Sequence, residues 1–87
     1  MTDALTPDLR AQLVTAAGAA LRNNETCQVT DTANRAWFIG PDVVNDHSVV
    51  LISISRGSDT FAQNLSTATL VPDVAGAAID TLDGELP

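Results

Sequence analysis

No lysine and no tyrosine occur in this chain, and histidine and cysteine occur once each. These absences remove most chemistries before any motif is sought. A lone Cys27 cannot close an internal disulfide. A lone His47 leaves one imidazole for the whole chain, whereas nucleophilic catalysis needs a nucleophile, a base and a group that orients the base. Asp46 and Ser48 flank His47, but sequence neighbours do not make a triad, and no serine sits in a nucleophile-elbow pattern. Cys27 and His47 would form a dyad only if folding joined the first strand to the entry of the third. Zinc takes three or four Cys, His or carboxylate ligands, and Cys27, His47, Asp42 and Asp46 would have to be gathered by the fold. The stretch from Asp42 to Asp46 lacks the alternating ligands and the glycine of a calcium loop. The five glycines are scattered, so no glycine-rich phosphate loop is present. No catalytic residue, cofactor or metal is expected.

Positive charge is also scarce. The four basic residues Arg10, Arg22, Arg35 and Arg56 face eleven carboxylates, for a net charge of -7. Phosphate neutralisation needs clustered cations, so nucleic acid is not an expected partner. Eleven carboxylates spread along the chain are equally thin for a protein imitating a phosphate backbone. A GC-rich genome or a halophilic host would account for acidity without lysine, although sparse glutamate speaks against an extreme halophile. The functional counterpart is an acidic face that steers a basic partner. The longest apolar run, Val49 to Ile52, is far too short to span a bilayer. Met1 to Arg10 has no basic stretch followed by an apolar run, so no signal peptide and no membrane partner are expected. A reducing cytoplasm or a virion is the expected location. The triplets Asn24-Glu25-Thr26 and Asn64-Leu65-Ser66 match glycosylation acceptors by spacing alone.

What is present suits one domain. A chain of 87 residues buries roughly 60–65% of its unfolded surface, enough for one modest core. Thr6-Pro7-Asp8 supplies a cap, a proline at the first helical position and a carboxylate at the positive helix end. A helix is predicted from Pro7 to Arg22, ended by Asn23-Asn24. Around it, Leu9, Leu13, Val14, Ala16, Ala17, Ala20 and Leu21 make an apolar arc wider than one core contact requires. Gly18 among alanines would admit a second backbone closely. Thr26 to Asp31 alternates as a strand with one solvated face. Thr32 to Asn34 reads as a turn. Arg35 to Ile39 reads as a second strand stopped by Gly40-Pro41-Asp42. Val43 to His47 reads as a connection turning at Asn45-Asp46. Ser48 to Ser55, rich in Val and Ile, reads as a central strand ended by Arg56-Gly57-Ser58. Beyond it, Ser58-Asp59 would cap a short helix through Leu65, or Thr67 to Val71 would form a fourth strand. Pro72-Asp73 starts a helix expected to run to Asp83 and end at Gly84.

The expected fold is α+β: a small antiparallel sheet of three to four strands packed with an N-terminal and a C-terminal helix. The expected function is that of a non-enzymatic structural protein that self-associates or binds other structural proteins. A capsid, head–tail connector or tail component of a virion would fit. The expected homo-oligomer interface comprises Arg10, Val14, Gly18, Leu21 and Trp37, and Val14→Glu would break assembly without unfolding the chain. The alternative is an acidic adaptor or inhibitor, of immunity, antitoxin or host-takeover type, holding a basic protein through Asp42, Asp46, Asp59 or Asp80.

Overall fold

A computed structural model describes residues 4–87. The first three residues of the stretch read above for a leader lie outside the described residues. Six elements follow in the order α1 (Pro7–Asn23), β1 (Cys27–Thr30), β2 (Ala36–Val44), β3 (His47–Arg56), β4 (Asp59–Ser66) and α2 (Pro72–Glu85). The strands form one antiparallel meander in chain order. This is the predicted α+β fold, with four strands.

The start of α1 is built as its sequence requires. Thr6 is extended, and its Oγ1 accepts a hydrogen bond from the Leu9 amide at 3.1 Å. Asn24 closes the helix in the left-handed conformation, at φ 56°, which asparagine tolerates.

Three expectations about the strands need correction. First, Gly40-Pro41 does not stop β2. The register continues from Gly40↔Leu51 and Pro41↔Val50 to Val44↔His47, whereas β1 pairs with β2 only as far as Ile39. Past that point one edge of β2 is free, and a proline is tolerated on a free edge. Gly40 stays because a Cβ there would lie 2.8 Å from the Thr26 methyl and 3.1 Å from the Phe38 ring. Second, the connection expected over Val43 to His47 shrinks to Asn45-Asp46. Both residues have positive φ, 52° and 65°, as a type I′ hairpin turn demands. Third, residues 59–66 are a strand, not a short helix. Gly57, at φ 63°, turns the chain in two residues so that Arg56 pairs with Asp59 and β4 falls directly onto β3. Thr67 to Val71, offered as the fourth strand, instead begins with a turn in which the Thr69 amide donates to the Ser66 carbonyl.

The core lies on one side of the sheet. Trp37, Ile39, Val50, Ile52 and Ile54 alternate onto that side and pack against Leu13, Ala17 and Ala20 of α1 and Ala75, Ala78, Ile79 and Leu82 of α2. The helices run antiparallel, with Arg10 near the start of α1 paired to Asp80 late in α2. α2 extends past Gly84 to Glu85, and Leu86 then turns into the core. Val74, in the first turn of α2, stays 38% exposed.

Gly76 lies beneath the Arg10 side chain, where an added Cβ would come within 2.5 Å of Nη2. That neighbour is the mobile end of an arginine, and alanine is favoured over glycine in a helix by about 1 kcal/mol. Gly76→Ala is therefore expected to raise the thermal midpoint slightly. A drop would show that the Arg10–Asp80 pair contributes more than exposed pairs ordinarily do.

Candidate functional site

The fold separates the residues that a catalytic or metal site would need. Cys27 pairs with Ile39 on the helix-bearing side, while His47 pairs with Val44 five residues further along β2. At a strand rise of about 3.3 Å per residue that is roughly 17 Å, with the side chains on opposite faces. Among the described residues no three His, Cys, Asp or Glu side chains gather to hold a metal ion. The carboxylates proposed as one acidic face are also dispersed. Asp42 and Asp46 sit at the β2–β3 turn end, Asp59 sits at the opposite end of β3, and Asp80 is occupied by Arg10. Arg10 holds the Asp80 carboxyl below its usual range by hydrogen bonding and by charge, and Asp80 in turn raises the Arg10 guanidinium.

The helical interface predicted from the sequence is largely occupied within the chain itself. Val14, Gly18 and Leu21 border a groove of about 60 Å³ whose other wall is Leu70, Val71, Pro72 and Ala75. Val14 and Leu21 pack against the core, and the Arg22 guanidinium lies 3.0 Å from where a Gly18 Cβ would stand. The wide apolar arc of α1 thus meets the sheet, α2 and the segment entering α2. Val14→Glu would disturb this packing, not a free surface. Arg10 is engaged by Asp80. Trp37 has 0% exposure and offers no surface to a partner.

Trp37 belongs instead to a buried polar cluster that sequence reasoning missed. The Asp31 carboxylate accepts from the Ala33 amide at 2.9 Å, the Arg35 amide at 3.0 Å, Arg35 Nε at 2.7 Å and the Trp37 indole at 2.9 Å. Arg35, only 2% exposed, stacks 5.6 Å from the Trp37 ring centre. It also donates Nη1 to the carbonyls of Asp83 and Leu86, at 3.1 and 2.9 Å. Its Nη2 lies 2.7 Å from Asp83 Oδ1, an ion pair not aligned as a hydrogen bond. Burial pushes the Asp31 carboxyl up, but hydrogen bonds from Trp37, Arg35 and Ala33 outweigh it and leave the group below its ordinary value. Burial likewise lowers Arg35, and Asp83 and Asp31 more than restore it. The cluster ties the β1–β2 turn to the end of α2. The Asp31 carboxylate and the Trp37 indole are satisfied within the cluster, which leaves neither of them free to meet a ligand. The signal was the Asp31, Arg35, Trp37 spacing, in which an Asx turn puts all three on one side.

The other side of the sheet carries neither helix. Across it run three rows of laterally paired residues: Thr30–Ala36–Ser55–Thr60, Gln28–Phe38–Ser53–Ala62, and Gly40–Leu51–Asn64. No charged side chain stands in these rows, and the first carboxylate, Asp42, follows beyond them. Phe38 and Leu51 are half-buried at the centre. Past the rows, β2 and β3 continue as a two-stranded arm, since β1 ends opposite Ile39 and β4 opposite Val49. Its residues 41–48 are all exposed, with Val43 at 64%. Between the base of the arm and the end of α1 lies an open cleft of about 510 Å³, bordered by Leu21, Asn24, Val43 and Thr67. No helix among the described residues is long and apolar enough to cross a membrane. The chain matches no known protein family, no curated protein and no solved structure.

Proposed function

We propose that this protein is a non-enzymatic building block that works by associating with copies of itself. The observation that carries the reading is the charge distribution. A molecule of net charge -7 leaves one broad sheet face without a formal charge in its three central rows. Two such molecules repel through most of their surfaces, and this face is where they meet with least repulsion. A small, symmetric assembly unit of this kind suits a structural role, including that of a capsid, connector or tail component of a virion. Dispersal of Asp42, Asp46 and Asp59 disfavours the acidic-adaptor reading, because a basic partner would find no single acidic patch.

Salt separates the two readings. Self-association of like-charged copies strengthens as salt screens their repulsion, whereas attraction to a basic partner weakens. Light scattering coupled to gel filtration is expected to show a discrete oligomer that becomes more populated as salt rises. A folded monomer at every salt and protein concentration contradicts self-association.

A further inference from the structure

We infer that the helix-free face of the sheet is a two-fold interface for a second copy of this chain, centred on Phe38 and Leu51. The inference rests on the self-association reading and assigns its surface, which is not the α1 strip suggested by the sequence.

The footprint is that of a weak contact. The uncharged rows take in the four residues of β1 and five each of β2, β3 and β4, which at about 4.8 Å between strands and ~3.3 Å per residue make a flat patch of roughly 300 Å² per copy. Two copies bury roughly 600 Å² before side-chain relief is added, short of the ~1,000 Å² of a stable specific contact and in the range of transient ones. A weak, concentration-dependent dimer follows, not an obligate one. Geometry favours the same pairing. Two sheets stack about 10 Å apart with inner side chains interdigitating. Here the flanking residues Ala36, Ser53 and Ala62 are small, leaving room for the partner's Phe38 and Leu51. Charge sets the direction of the two-fold axis. An axis across the strands puts the two arms, each with Asp42 and Asp46, at opposite ends. An axis along the strands would place four carboxylates together.

The rival occupant site is the outer edge of β4, which is uncharged from Thr60 to Ser66 and has no proline to block pairing. Edge pairing would leave Phe38 and Leu51 exposed, so variants distinguish the two. Leu51→Asp places a carboxylate against its symmetry mate in a closing interface and is expected to raise the dimer Kd at least ~100-fold. Ser53→Arg, a polar position on the same face, is expected to do the same by like-charge contact. Gln63→Lys charges the β4 edge from the helix-bearing side and is expected to leave the dimer intact. Sedimentation of the full chain and its variants over a wide concentration range, with circular dichroism to confirm folding, reads the result. A monomeric wild type overturns self-association itself. A wild-type dimer unaffected by both folded face variants, or one lost only in Gln63→Lys, overturns this surface while leaving self-association standing.

Discussion

Asp31→Ala is expected to lower the unfolding free energy by about 3 kcal/mol, the lower end of the range for breaking a buried ion pair. The substitution removes the acceptor of four hydrogen bonds at once. It leaves the Trp37 indole N–H buried without its partner, and Arg35 with Asp83 and two carbonyls as its remaining partners. Those partners keep the loss from being larger. Against a total stability of about 5–15 kcal/mol for a typical domain, the loss is severe. Asp31→Asn is expected to be nearly as damaging, because one side of the amide would turn its own N–H groups toward Arg35 Nε and the indole. Urea titration checks this by a lowered midpoint at unchanged slope. The effect depends on pH with a definite sign. The Asp31 carboxyl is depressed in the folded protein, so its contribution is complete above about pH 4, the unfolded carboxylate value. It is lost as pH falls through the folded value. Wild type and Asp31→Ala should therefore converge in stability in acid. Equal stability of the two at neutral pH would refute the account of the cluster.

Trp37→Ala is expected to cost about 3–5 kcal/mol, the loss typical of deleting a large buried aromatic. Trp37 is wholly buried between the sheet and the helices and also stacks on Arg35. Trp37→Phe separates the two contributions. Phenylalanine keeps much of the ring but not the indole donor, so its cost should include about 1 kcal/mol for the hydrogen bond to Asp31 plus a smaller packing loss. If Trp37→Phe is as damaging as Trp37→Ala, the polar link dominates and the packing argument fails. Because Asp31 and Trp37 share that bond, the double variant should fall short of the sum of the singles. Thermal or chemical denaturation of the set measures the shortfall.

Much of this architecture was legible in local chemistry. Thr6-Pro7-Asp8 and Asn24 bound α1 because capping depends on a few adjacent residues. The alternation in β3 is unambiguous because both of its sheet neighbours and the two helices cover it. Asn45-Asp46 announced its turn. The misreadings lie where tertiary pairing overrides a local signal. Gly40-Pro41 stops most strands, but here Pro41 stands where β2 has lost its β1 neighbour. Residues 59–66 carry little apolar alternation of their own, and the Gly57 turn holds them on β3. Trp37 was placed at a surface because its partner Asp31 was read only as the end of a strand. The wide apolar arc of α1 suggested a second subunit because the segment Leu70–Ala75, which lies against it, is distant in sequence. The uncharged outer face was present as Ser53 and Ser55 alternating with Ile52 and Ile54 in β3, and as Ala36 and Phe38 of β2 and Thr60, Ala62 and Asn64 of β4. Its meaning emerged only when the register put those residues side by side.

We propose that like-charged copies of this protein meet through the helix-free face of the sheet. Amide NMR spectra followed through a dilution series test it most directly, since they report residue by residue where a reversible contact forms. Concentration-dependent shifts are expected at Phe38, Leu51 and Ser53, with unchanged signals at Val14, Gly18 and Leu21. Shifts confined to α1, to β4 alone, or absent at every concentration would contradict it.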